Sequence, residues 1–192
     1  MTGRDKLVWI DLEMSGLDVE TCQILEIATI ITDSQLEILA EGPELVIHQP
    51  DEVLDAMDAW NTKHHGESGL TQAVKDSTVS LEQAEAKTLA FVRRYCGENE
   101  APLCGNTIWQ DRRFLGHYMP RLEAFLHYRI IDVSSFKEVV HRWYPGEADP
   151  PPKGQSHRAL DDIRESIEEL RYYREAVFSS PRSVEPSESN DE

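Results

Sequence analysis

Residues 5–13 read DKLVWIDLE, and this stretch decides the fold. Its apolar run from Leu7 to Ile10 suits a central strand covered on both faces. The run ends in acid. Asp11 and Glu13 are two apart, so on a strand their side chains share one face. A strand end emerging into solvent accounts for one such pair as well as a metal site does. The metal reading needs further ligands from elsewhere in the chain.

Outward from this strand, residues 24–32 (ILEIATIIT) and 36–48 (LEILAEGPELVIH) read as two more strands around a turn at 33–35, making a meander. Residues 51–66 and 69–76 read as helices split by Gly66 and Gly69. Residues 80–96 predict a helix with Ser80 as N-cap and Gln83 completing a capping box. A short strand, 102–105, leads into a helix over 107–118. A fifth strand over 129–133 precedes a helix over 134–144. The Pro-rich stretch 146–154 reads as a loop. The last helix spans 157–177, with a stripe of Leu160, Ile163, Ile167, Leu170 and Val177 at three- and four-residue steps. From Ser179 the tail is Ser, Pro and Glu, and is expected to be disordered. Residues 1–178 then form one domain. The expected class is α/β, a mixed five-stranded sheet with helices on both faces.

The chain has 192 residues, with 19 basic against 36 acidic, for a net charge of −17. Such a surface repels long polyanions, because bulk affinity for nucleic acid comes from Lys and Arg contacts to phosphate. A nucleic-acid substrate would have to be short or gripped locally. The three cysteines, Cys22, Cys96 and Cys104, form no even framework and no CxxC, which points to a reducing compartment. The first apolar strand starts by Leu7, leaving no room for a signal peptide, and no apolar run could span a membrane. The expected location is the cytoplasm, or the mitochondrion for a eukaryotic chain.

Three more residues complete a pattern. Asp111 lies one turn into a helix after a short strand, where alone it reads as an ordinary exposed acid beside Arg112 and Arg113. His157 and Asp162 are five apart. On a continuous helix that separation turns about 500°, so the two would not share a face. His157 is therefore placed before or at the helix start, with Asp162 anchored on the helix beside Ile163. Asp161 is the rival ligand, and a pair with Arg158 or Arg164 is its plain explanation. Four carboxylates on one point repel each other unless cations hold them together, and oxygen-only ligands favour Mg²⁺ or Mn²⁺.

Asp-x-Glu in a first strand, a middle Asp and His-x4-Asp at a C-terminal helix resemble the signature of the DEDDh 3′→5′ exonucleases. Within that group the chain is similar to the oligoribonucleases. The matching segments are WIDLEMSGLD (9–18), ILAEGP (38–43), HHGESGL (64–70), GNTIWQDRRFL (105–115), LHYRIIDVSS (126–135) and SHRALDDIRES (156–166). They run over about residues 7–175.

The resemblance implies an RNase H-like three-layer fold and two Mg²⁺ or Mn²⁺ ions held by Asp11, Glu13, Asp111 and Asp162. It makes His157 the general base, or the residue that orients the attacking water. It implies short RNA oligonucleotides as substrate, with Leu17 and Trp60 wedging against the bases. By periodicity alone Trp60 would be a core residue of an amphipathic helix. Arg129, Ser134 and Thr107 match positions that cap the 5′ phosphate. The family more often has Ser where Thr107 stands, but the hydroxyl is kept. Tyr128, counted with the catalytic residues, and His65, counted with the substrate-binding ones, match residues supplied by the second subunit of a homodimer.

Overall fold

The computed structural model describes residues 5–146, 150 and 158–178. His157, most of the 146–154 loop and the tail from Ser179 lie outside the described residues.

Among the described residues six strands form one sheet, in the order β3-β2-β1-β5-β6, with β4 pairing β2 off this path. The strands are β1 Lys6–Met14, β2 Ile24–Asp33, β3 Ile38–Glu41, β4 Leu45–Val46, β5 Pro102–Gly105 and β6 His127–Asp132. β1 pairs antiparallel with β2 and parallel with β5, so the sheet is mixed. The third strand expected from sequence is two. Gly42 and Pro43 break 36–48 into β3 and β4, because proline cannot donate to a ladder. The count rises from five to six without changing the layering.

The helices are α1 Asp51–Asp55, α2 Ala59–Glu67, α3 Leu70–Asp76, α4 Leu81–Val92, α5 Ile108–Tyr118, α6 Pro120–Phe125, α7 Val133–Trp143 and α8 Ala159–Ala176. The expected helix at 51–66 is also two, since Asp58 caps α2 through the Asn61 amide and restarts the helix. Gly66 lies inside α2, and the break falls at Gly69, whose φ of 76° is left-handed. The Ser80–Gln83 capping box is formed. α6 was not legible in sequence; it starts with Pro120 at its first turn and is six residues long.

Alternation along β1 sorts the core. Val8, Ile10 and Leu12 face a cluster with Val92, Ile108, Phe114 and Leu122 from α4, α5 and α6. Leu7 and Trp9 face the opposite cluster, where Ile163, Ile167 and Leu170 of α8 and Val140 of α7 pack. Each such aliphatic side chain contributes about 1.5–3 kcal/mol on burial. Asp11 and Glu13 continue the Leu7–Trp9 face, so they emerge where α8 begins. Among the described residues no helix is long and apolar enough to cross a membrane.

Candidate active site

The site lies at the carboxyl end of β1, which is parallel to its neighbour β5. β1 supplies Asp11 and Glu13, and its register with β2 shifts between Glu13 and Met14, a bulge that bends the strand end. α8 supplies Asp162 from its first turn. One ligand atom from each of Asp11, Glu13 and Asp162 lies within 4.8 Å of the other two. Asp111, on the first turn of α5, joins β1 differently: its Oδ1 accepts the Leu12 amide at 3.0 Å. Asp161 turns away and pairs with Arg164 at 3.0 Å, which leaves Asp162 as the acid in the cluster.

The electrostatics match this crowding. Burial, then Asp111, Glu13, Asp162 and Glu26, push the Asp11 carboxyl well above its ordinary range. Burial and the nearby Asp162, Glu26 and Asp111 push Glu13 up to about 8, against a smaller opposing pull from Arg158. Burial lifts Asp111 to about 7, moderated by the Leu12 amide. Carboxylates so disfavoured as anions form a donor set that a hard divalent cation relieves. The residues present therefore fit a metal centre.

The other expected residues fall into groups. Leu17 is 71 % exposed on the loop after β1, and Trp60 is 59 % exposed on α2, stacked on His64 with ring centroids 3.9 Å apart. Trp60 is thus a surface residue and not the core residue that periodicity suggests. The Thr107 and Ser134 hydroxyls lie 3.0 Å apart, and the Thr107 amide faces both Ser134 Oγ and Asp132 Oδ1. Thr107 holds a left-handed φ of 51° there. Arg129 folds onto Tyr128, with its Nε donating to the phenol oxygen at 3.0 Å and its guanidinium 5.4 Å from the ring centroid. Tyr128 is exposed on β6, the sheet's edge.

His65 lies inside its own chain. It is 1 % exposed, and its Nδ1 lies 3.9 Å from Glu13 Oε2 of the same chain. Its Nε2 is 3.0 Å from the Met14 carbonyl, which can only accept, so Nε2 carries the proton. These contacts set the ring at the end of β1, beside Glu13 of its own chain.

Sequence reading missed Glu26, which is fully buried on β2 opposite Glu13 and accepts from Arg158 Nη2 at 2.6 Å. Its signal was a charged residue inside the otherwise uncharged run ILEIATIIT. Asn106 was also missed. Its side chain accepts from Ser134 Oγ at 3.1 Å and donates to Ser166 Oγ at 2.7 Å, tying the Thr107–Ser134 pair to α8.

A family model described as exonuclease, of the RNase T type, matches residues 8–170. The oligoribonuclease of Pseudomonas paraeruginosa is 57 % identical over 175 residues, 91 % of this chain and 97 % of that protein. The chain belongs to the oligoribonuclease family of exonucleases. The mitochondrial oligoribonuclease of Homo sapiens is also 57 % identical, over 174 residues, covering 90 % of this chain and 73 % of that one. Among solved structures, exonuclease I of Methylocaldum szegediense superposes with a TM-score of 0.67 at 18 % identity, over 91 % of this chain and 41 % of its own. The zinc-bound E. coli exonuclease I complex with single-stranded DNA gives 0.68 at 13 %, over 89 % and 40 %. This chain spans about two fifths of those two proteins' length, and they share its RNase H-like fold.

Proposed function

We propose that the chain is a metal-dependent 3′→5′ exoribonuclease acting on very short oligoribonucleotides, dinucleotides above all, and releasing nucleoside 5′-monophosphates. The observation that carries this reading is the convergence of Asp11, Glu13 and Asp162 within 4.8 Å, at the end of the strand from which the loop with exposed Leu17 departs. With Asp111, these acids would hold two Mg²⁺ or Mn²⁺ ions. Such ions, when bound, stabilise charge developing on the attacking and leaving oxygens of a phosphodiester.

The chain's own residues do the rest. Leu17 and Trp60 orient the bases, and base–aromatic stacking contributes about 1–3 kcal/mol per base. Thr107 and Ser134 present two adjacent hydroxyls to the 5′ phosphate, and Arg129 adds a charge-assisted contact. A capped 5′ end leaves no channel for a longer chain. His157 takes the proton of the attacking water. The bond from phosphorus to the preceding 3′-oxygen breaks, and the released nucleotide keeps its 5′ phosphate. His65 acts from the same chain as Glu13.

Homodimer formation belongs to this reading. β6 is an edge strand carrying exposed Tyr128 and Ile130, a surface that a second copy would cover and from which Tyr128 would reach the neighbouring site. Residues 1–178 act as the exonuclease domain, with the acidic tail outside it, in the cytoplasm or a mitochondrion.

The test is a 5′-phosphorylated diribonucleotide incubated with the protein and Mg²⁺, with products separated by chromatography. Two nucleoside 5′-monophosphates, formed only with the cation, are expected. A 3′-phosphorylated product, or cleavage unaffected by chelator, would contradict the reading.

A further inference from the structure

Leu17 is exposed, yet the backbone that carries it is fastened down. The loop from Ser15 to Gln23 closes on itself through the Ser15 amide to the Gln23 carbonyl and the Gln23 amide to Ser15 Oγ, both 2.9 Å. It is also narrow, since a Cβ at Gly16 would meet Cys22 Sγ at 2.6 Å. Two side chains of α5 then pin it from outside. Gln110 Nε2 donates to the Leu17 carbonyl at 2.6 Å, and Tyr118 Oη lies 2.7 Å from the Cys22 carbonyl. Arg113 Nη1 donates to Gln110 Oε1 at 3.2 Å, which turns the amide nitrogen toward Leu17.

The position of this anchor matters. Gln110 is buried and immediately precedes Asp111, and Thr107 stands at the N-terminus of the same helix. One rigid element therefore sets the Thr107 hydroxyl, the Asp111 carboxylate and the wedge relative to one another. A wedge discriminates only when its height above the reacting bond is fixed.

We infer that Gln110 is a positioning residue for substrate selection: by holding the Leu17 carbonyl it fixes the wedge at a set distance from Asp111. Tyr118 supports it about 12 Å further along the helix, eight residues on. This rests on the dinucleotide-hydrolysis reading above.

The experiment compares Gln110→Met, which keeps the volume and removes the donor, with Tyr118→Phe, which removes the hydroxyl far from Asp111. Each is expected to raise KM for a 5′-phosphorylated diribonucleotide about three- to tenfold, the effect of one hydrogen bond, with kcat nearly unchanged. Amide hydrogen exchange over residues 16–22 should quicken in both. Adding Gln110→Met to Leu17→Ala should raise KM no further than Leu17→Ala alone.

Faster exchange with unchanged KM overturns the proposal, as does unchanged exchange. Additive effects of Gln110→Met and Leu17→Ala, or a fall in kcat alone, would place Gln110's role at Asp111 and likewise overturn it. A wild-type chain that does not cleave the dinucleotide sinks the preceding reading and this one with it. Wild-type cleavage with indifferent variants sinks only this one.

Discussion

Arg158 Nη2 donates to Glu26 Oε1 at 2.6 Å, fixing the residue before α8 onto the start of β2. The second oxygen of Glu26 accepts the Ala159 amide at 3.2 Å, so a carboxylate 133 residues away caps a helix whose own N-cap residue offers no side-chain bond. Asp162 rides on that first turn. The pair therefore fixes where α8 delivers its acid to β1.

Removing Arg158 should cost stability, because Glu26 is fully buried while Arg158 is 32 % exposed. Losing one partner of a buried pair costs roughly 3–5 kcal/mol, and the exposure of Arg158 favours the lower end. Arg158→Met should lower the urea-unfolding free energy by about 3 kcal/mol. A change under about 0.5 kcal/mol would show that the pair does not hold α8.

Stability without metal should fall as pH rises. A carboxyl whose pKa is higher folded than unfolded takes up protons on folding, so its contribution is present at low pH and lost on passing the folded value. For Glu13 that window runs from 4.5 to about 8, and for Asp111 from 3.8 to about 7. Chelator-treated protein scanned by calorimetry should lose on the order of 5 °C in Tm between pH 5.5 and 8.5 from these groups. Mg²⁺ or Mn²⁺ should restore it at the upper pH. A Tm from which pH and cation are both absent as influences would dismiss the metal centre.

Asp11→Asn should separate chemistry from folding. It removes a carboxylate oxygen from the cluster, and metal assistance worth several kcal/mol corresponds to a loss of about three orders of magnitude in kcat. Above its raised range Asp11 is an anion disfavoured by burial and by Asp111, Glu13, Asp162 and Glu26, so at such pH the substitution should also raise the metal-free Tm. Turnover near the wild-type rate would remove Asp11 from the centre.

Arg129→Ala should act on phosphate recognition. A charge-assisted hydrogen bond contributes roughly 1.5–3 kcal/mol, so KM for the 5′-phosphorylated dinucleotide should rise at least about tenfold. KM for the unphosphorylated dinucleotide should stay nearly constant. Equal effects on both would show that Arg129 acts through Tyr128, on which it folds, and not through phosphate.

Much of this was legible in the sequence for a physical reason. β1 and α8 are long and strongly patterned, so their apolar faces predict which side Asp11, Glu13 and Asp162 occupy. Asp162 was separable from Asp161 because helix geometry sets Asp162 at the edge of the Ile163 stripe. The breaks at Gly42–Pro43 and at Asp58 were missed because apolar residues resume on both sides of a short polar interruption. The contacts of His65 with Glu13 and the Met14 carbonyl come from tertiary structure, which local pattern does not encode. Glu26 and Gln110 were missed for the same reason: each finds its partner far away in sequence, at Arg158 and at the Leu17 carbonyl.

The central claim is that the pocket takes little more than two nucleotides. It is tested most directly by kcat/KM for 5′-phosphorylated RNAs from two to about twenty nucleotides, measured singly and in competition with Mg²⁺ present. The account predicts the highest value for the dinucleotide and a steep fall with each added nucleotide. Equal values across lengths, or a rise with length, would contradict it.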